Sequence, residues 1–251
     1  IFLVVLWPYF LKAQNPIYDT VLGYSGSSKY IKSITITKAN KKHIRLYHSN
    51  SKLQAEYFTL DDKYEGKYIV YNADGVLASI TNYKQGVFNG EKINYNADGS
   101  IKDKSHYKLV QINDVPKSVL DGTFVSYFNN GKKEKEINYK NGKKHGLESE
   151  WYAGGKKRTE INYRNGYKMG SFSFWYESGI QGSVGEYDTL QEKSSSKKLI
   201  TREVKTGKWQ EWNKNGTLIK QNNYLAGKEN GKQEGWFENG QKSFESNMFN
   251  N

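Results

Sequence analysis

Side chains that could bind a metal or exchange a proton are scattered along this sequence. The four histidines, His43, His48, His106 and His145, include no pair at i, i+2 or i, i+4, the spacings that place two metal ligands on one face of a strand or helix. The chain has no cysteine, which excludes disulfides, thiolate metal sites and cysteine nucleophiles. We therefore expect surface histidines and no metal site.

Motifs for nucleotide binding and for hydrolysis are incomplete. Gln233 stands where a phosphate-binding loop needs Ser or Thr after Gly231-Lys232, and no Gly-x-Ser-x-Gly elbow is present. Carboxylates alternate with lysines, as cross-strand charge pairing predicts, although paired acids for hydrolysis are an alternative; they include Glu134, Glu136, Glu148, Glu150 and Glu160. The sequence thus predicts a protein that is not an enzyme and uses no cofactor.

Clustered basic residues are the most suggestive polar feature. A lysine pair recurs one period later beside an arginine, and two more lysines occupy the turn between, giving Lys132, Lys133, Lys143, Lys144, Lys156, Lys157 and Arg158. Stacked repeats would bring these like charges close together, which is mildly destabilising unless the side chains spread into water or contact an anionic partner. We interpret these residues as a candidate interaction patch, and the alternative is solvated turn lysines.

The elements that would position these side chains follow a period of 24 residues. Seven glycines define offset zero, with spacings of 24, 32, 24, 24, 37 and 24: Gly66, Gly90, Gly122, Gly146, Gly170, Gly207 and Gly231. An aromatic residue follows at offset 5 and another glycine at offset 9, namely Tyr71, Gly75, Tyr95, Gly99, Tyr127, Gly131, Trp151, Gly155, Trp175, Gly179, Trp212, Gly216, Trp236 and Gly240. Offset 17 carries Tyr83, Tyr107, Tyr139, Tyr163, Tyr187 and Tyr224, with Met248 in the last unit. This agreement indicates an internal repeat.

Each unit has the pattern of a β-hairpin. Thr123 to Phe128 predicts a strand, Asn129 to Gly131 a turn, and Lys132 to Tyr139 a returning strand. A single hairpin is marginal in water, so each unit must bury its aromatic face against its neighbours. We predict an all-β fold, an elongated and twisted array of stacked hairpin repeats, whose aromatic row is mostly core; an exposed ligand platform is the alternative.

The run from Tyr139 to Gly146 (YKNGKKHG), followed by Trp151 and Gly155, resembles the hallmark of MORN repeats. The pattern is most similar to bacterial MORN-repeat-variant proteins of the YwqK-type antitoxin family. The resemblance implies a hairpin array that acts as a scaffold or protein-binding surface. One departure is Glu148, where usual MORN units carry a second glycine.

The chain start predicts export. Ile1 to Leu11 is apolar, too short to span a bilayer easily, and gives way to small and polar residues near Ala13, as in a signal peptide truncated at its start. A buried first strand or a membrane anchor are the alternatives. We therefore assign residues 1–14 to a signal peptide, 15–63 to a degenerate capping region, and 64–251 to about seven MORN-like hairpin units with loop insertions at 108–121 and 188–206.

Charge and composition complete the functional prediction. Thirty-eight basic and 26 acidic residues give a net charge of +12, which attracts anionic partners. We expect an exported protein, periplasmic, secreted or on the cell surface, that binds another protein or an anionic envelope component. Nucleic acid is not expected, nor a transmembrane span after signal removal. The alternatives are a glycan-binding module using Trp151, Trp175, Trp212 and Trp236, or an antitoxin-like neutralising protein in the cytoplasm.

Overall fold

The computed structural model of the chain describes residues 19–24, 31–196 and 198–249. Within these ranges the chain forms 19 β-strands joined by turns, and no helix. All of the strands lie in one sheet and their pairings are antiparallel. The predicted all-β array of stacked hairpins is confirmed.

The strands have these bounds in chain order: β1 Asp19–Tyr24, β2 Ile31–Lys38, β3 Lys41–Tyr47, β4 Leu53–Leu60, β5 Lys63–Tyr71, β6 Leu77–Lys84, β7 Val87–Tyr95, β8 Ile101–Ile112, β9 Val115–Leu120, β10 Gly122–Tyr127, β11 Lys133–Lys140, β12 Lys143–Trp151, β13 Lys157–Arg164, β14 Tyr167–Trp175, β15 Gln181–Lys193, β16 Leu199–Trp212, β17 Leu218–Leu225, β18 Lys228–Trp236 and β19 Lys242–Met248. The topology is a meander, because successive strands pair with each other. Among the described strands β8 is the exception, since its end pairs with β9 and its start with β10.

The two rows of turns differ in geometry. On the tight-turn side, two-residue turns such as Asn141–Gly142 have positive φ at both positions, 50° and 78°, which is the type I′ geometry that matches strand twist. On the long-turn side, the Phe128 backbone N–H donates to the Lys132 carbonyl at 2.9 Å, and Gly131 closes the turn with φ of 78°. The glycines predicted at turns therefore supply a required backbone conformation.

The offset-17 tyrosines and the offset-5 aromatics lie on opposite faces. Lys144 contacts both Glu148 and the Tyr163 ring, so these three share what we call the tyrosine face. Glu150 lies two residues beyond Glu148 on that face, and its neighbour Trp151 therefore points to the other, the tryptophan face. Each repeat thus contributes one aromatic residue to a row on each face of the sheet.

Aromatic rings on the tyrosine face contact one another, and most of them are half-buried. On the tyrosine face the Tyr83 and Phe88 rings lie 5.0 Å apart, and the Tyr187 and Trp209 rings 5.1 Å apart. Among the residues that the structure describes, the buried apolar side chains are Ile44, Ala55, Ile137, Val204 and Trp209. The surface of 16830 Å² exceeds the ~11,000 Å² expected for a compact protein of this mass, as a single-layer sheet requires.

The two predicted loop insertions are strands, so that prediction was wrong. Residues 108–112 form the end of β8 and 115–120 form β9, while 188–193 and 199–206 lie in the long strands β15 and β16. Both insertions extend past the tight-turn side and are hydrogen-bonded to the neighbouring part of the sheet. In the first, the Ser118 hydroxyl donates to the Phe88 carbonyl at 3.0 Å. In the second, Glu203 accepts from the Lys168 backbone N–H at 2.8 Å. Their β-branched residues continue the ladder instead of leaving it.

The N-terminal region is described only in part. The predicted signal peptide, residues 1–14, lies outside the described residues. Strands β1 to β4, within the predicted capping region 15–63, continue the same meander, and the His48 ring nitrogen lies 3.0 Å from the Tyr71 carbonyl of the first regular unit. No helix in the described ranges is long and apolar enough to cross a bilayer.

Candidate binding surfaces

The offset-zero glycines lie at irregularities in the ladder. Gly146 has a φ of 95°, and there the β11–β12 register shifts between Ile137 and Tyr139. A side chain would be strained in this left-handed region, so glycine is required where the strand bulges. The backbone geometry therefore accounts for glycine at the repeat-defining positions without any role in ligand binding.

Asparagine at offset 16 is a structural residue that the sequence prediction missed. The Asn138 side-chain amide donates to the Leu147 carbonyl at 2.9 Å, and Asn82 and Asn223 make the same bond to the next strand at 2.6 Å. These bonds satisfy carbonyls beside the bulge. The recurring Asn-Tyr dipeptide was the available signal.

The basic residues predicted to form one patch lie at opposite ends of the strands. Lys132, Lys133, Lys156, Lys157 and Arg158 occupy the long-turn side, whereas Lys143 and Lys144 begin β12 at the tight-turn side. The eight residues of β11 lie between them, and the seven steps from its first residue to its last correspond to about 23 Å. The structure therefore does not bring them together as one surface.

Several of these lysines have partners within the sheet. The Lys132 and Lys156 amines donate at 2.7 Å to the Gly154 and Ser178 carbonyls in the turn of the following unit. Lys133 pairs with Glu136 at 2.5 Å, and Lys157 pairs with Glu160. The two bonds to carbonyls join successive units, and the two ion pairs reduce the local positive charge.

A buried ion cluster interrupts the tyrosine face. Glu148 is 4% exposed and accepts from Lys144 at 2.5 Å, while Lys135 lies 3.3 Å from Glu148 and 2.5 Å from Glu150. Burial raises the pKa of the Tyr163 phenol, and the Glu148 carboxylate raises it further. Burial acts to raise the pKa of Glu150, but the Lys135 amine lowers it overall. Each charge therefore has an opposite charge nearby.

The tryptophan face carries an aromatic row beside the long turns. We call it the tryptophan row. It consists of one half-buried ring per unit, at the end of the first strand of each hairpin: Tyr71, Tyr95, Tyr127, Trp151, Trp175, Trp212 and Trp236. Two strand spacings separate successive rings by about 10 Å. The Lys133 amine lies 5.7 Å from the Trp151 ring and the Lys242 amine 5.9 Å from the Trp236 ring. The row is thus an aromatic stripe flanked by lysine stems.

The histidines are dispersed, as their spacing suggested. The His43 ring lies 2.7 Å from Glu56, where burial acts to raise the pKa of Glu56 but hydrogen bonds from Arg45 and His43 lower it overall. The His106 ring lies 2.7 Å from the Asp121 carbonyl, and His145 Nδ1 is buried without a partner. In the described part of the chain, no three His, Asp or Glu side chains converge on a metal position.

Four hairpin units match the model of the MORN repeat variant, at residues 64–85, 120–141, 144–165 and 205–226. These four stretches are similar to MORN repeat variants. Each matched stretch begins two residues before an offset-zero glycine, so the MORN repeats and the structural units share one register. The finer assignment to the YwqK-type antitoxin family stays a prediction.

Two solved structures are similar to this chain at 9% identity and a TM-score of 0.21, too low to support any argument. One is a porin-like protein from Bacteroides uniformis, with 73% of this chain and 92% of that chain covered. The other is TcdB2-TccC3, with 91% of this chain and 15% of that chain covered. No curated protein matches the chain.

Proposed function

We propose that this chain is a non-catalytic scaffold that binds another protein along the tryptophan row. The observation that supports the proposal is that seven units present an aromatic ring at one register on one face, half-exposed. Rigid aromatic side chains are the usual anchors of protein interfaces, because they bury a large area at a small cost in side-chain entropy. A repeat sheet with such a row suits an extended partner.

Charge indicates the kind of partner. The chain has a net charge of +12, so an acidic protein surface would be attracted at long range. Lysines also flank the row, as Lys157 opposite Trp151 and Lys242 opposite Trp236. We therefore propose a partner with an acidic surface around an apolar strip.

Photo-crosslinking tests which face the partner occupies. A benzophenone side chain at Gln181, opposite Trp175 in the tryptophan row, should give a discrete adduct. The same group at Lys220, opposite Glu211 on the tyrosine face, should not. Equal adducts at both positions, or none at Gln181, contradict the proposal.

The affinity of variants of this chain for the partner captured by cross-linking then tests the tryptophan row itself. Trp175→Ala should weaken binding about 30-fold, since a central aromatic anchor contributes about 2 kcal/mol or more. Phe174→Ala removes a ring from the opposite face of the same strand and is the matched control. Equal weakening by both variants would argue for general destabilisation and against a tryptophan-face interface.

Glycan binding by the tryptophans, antitoxin-like neutralisation and export stay predictions. Titration of envelope polysaccharides against tryptophan fluorescence tests the first, since a stacked sugar changes the environment of the indole. Sequencing the N-terminus of exported material tests the last, with processing near Gln14 expected. Such processing would also count against a toxin-neutralising role in the cytoplasm.

A further inference from the structure

The long turns are packed against one another by the side chain at offset 10. Side-chain atoms at this offset lie 3.2 to 3.7 Å from where a β-carbon on the next unit's turn glycine would sit; these residues are Lys52, Val76, Lys132, Lys156 and Ile180. The three lysines also donate to a carbonyl of that next turn at 2.7 Å. A long side chain at offset 10 therefore fills the space between successive turns.

The space is open where offset 10 is short. Ser100 occupies this position before the turn that contains Gly131, and no atom lies within 4 Å of a β-carbon built on Gly131. The Ser100 hydroxyl instead bonds Asp98 within its own turn at 2.6 Å. A notch of about 560 Å³ lies beside these two turns, in the size range of small-ligand sites.

The notch combines polar groups with aromatic rings. Its lining residues include Asn96, Asn129, Asn130, Asp103, Glu134, Lys102, Tyr127 and Phe128. Asp103 accepts from the Asn94 amide at 2.7 Å, and Glu134 accepts from the Ser126 hydroxyl at 2.9 Å. Within the described residues this leaves one oxygen of each carboxylate for a ligand.

We propose that this notch binds a neutral saccharide. Hydroxyl groups donate to carboxylates and accept from amides and amines, and residues that carry these groups line the notch. An aromatic ring offers an apolar plane for the C–H face of a sugar ring. Two carboxylates against one lysine make the notch locally acidic in a chain of +12, which disfavours an anionic ligand. The notch shares Tyr127 with the tryptophan row, but its ligand is of a different class, so the site goes beyond the protein-binding role.

The repeat itself supplies a substitution that closes the notch. Ser100→Lys introduces the residue found at offset 10 in three other units, and its amine would reach the next turn as Lys132 does. Thr217→Lys is the matched control, because Thr217 also has offset 10 and the turn glycine that follows, Gly240, also has open space. Glu134→Ala removes an exposed carboxylate from the lining without touching the core.

Calorimetric titration of maltose, cellobiose and lactose into the full chain tests the proposal, with spermidine and glucose 1-phosphate as charged probes. At least one neutral disaccharide should bind, and Ser100→Lys and Glu134→Ala should each weaken it about tenfold, which is about 1.4 kcal/mol. Thr217→Lys should leave the affinity unchanged. Binding of no disaccharide, binding of spermidine or the phosphate alone, or binding that survives both notch variants would overturn the proposal.

Discussion

The buried ion cluster on the tyrosine face gives a sharp test of how the repeats are built. In the preceding unit the positions of Lys144 and Glu148 are occupied by Leu120 and Phe124. The double variant Lys144→Leu with Glu148→Phe therefore copies an apolar pair that this chain already uses. We expect each single variant to destabilise the protein and the double variant to recover most of the loss.

The magnitude follows from how far the four charges of the cluster, Lys135, Lys144, Glu148 and Glu150, are buried. Removing one partner of a fully buried ion pair costs about 3–5 kcal/mol. Lys144 and Lys135 are 30% and 32% exposed, and screening by water reduces that to about 1–2 kcal/mol for each single variant. In the double variant, Lys135 keeps Glu150 at 2.5 Å. We expect it within about 1 kcal/mol of wild type, a coupling energy of about 2–3 kcal/mol.

Urea unfolding and amide hydrogen exchange of β11 to β13 measure this cycle. Exchange reports the local free energy of opening, which matters because a repeat array need not unfold as a single unit. Lys143→Leu is the control, since Lys143 is exposed at the neighbouring turn and should show no coupling to Glu148→Phe. Strictly additive losses in the double variant would refute the reasoning.

Three further outcomes are expected. Gly185→Ala should cost about 1–3 kcal/mol in urea unfolding, because the added methyl would overlap the buried Trp209 indole, while Gly154→Ala, with nothing within 4 Å, should be silent. Asn138→Ala should cost about 1 kcal/mol by losing its bond across the bulge, and Asn138→Asp, which cannot donate to the Leu147 carbonyl, should cost at least as much; wild-type stability in Asn138→Asp would contradict a role for the donated hydrogen. The pKa of Glu56 is lower in the folded protein than its unfolded value of 4.5. Its ionised form therefore stabilises the fold above pH 4.5, and this stabilisation is lost as the pH falls through the folded pKa. The melting temperature of Glu56→Gln in acid should accordingly depend less on pH.

The sequence predicted the repeat and its register because glycine positions are set by backbone geometry. Gly131 and Gly146 require positive φ, and this requirement recurs at fixed offsets whatever the neighbouring side chains are. The hairpin turn at Asn141–Gly142 follows from the same local rule. Local constraints of this kind can be read from one sequence.

Features that depend on contacts between units could not be predicted in the same way. The lysines near residues 132 and 144 are close in sequence, but a strand of β11's length separates them in space. The insertion at 188–206 looked like a loop because it carries Ser194 to Ser196, yet those residues form only the tip of a long hairpin. Charge clustering and polar composition do not say which end of a strand a residue occupies.

The single layer explains why this chain uses tyrosine and lysine where a globular protein would use leucine. A ring on an open face is never fully covered, and tyrosine keeps its hydroxyl in water while its ring packs on the next unit. Lysine stems cover the remaining apolar surface, as at Lys133 over Trp151. Because stability then comes from contacts that every unit repeats, departures such as Ser100 and Glu148 are the positions where sequence is least explained by the fold. A specific binding role should therefore be sought first at such departures.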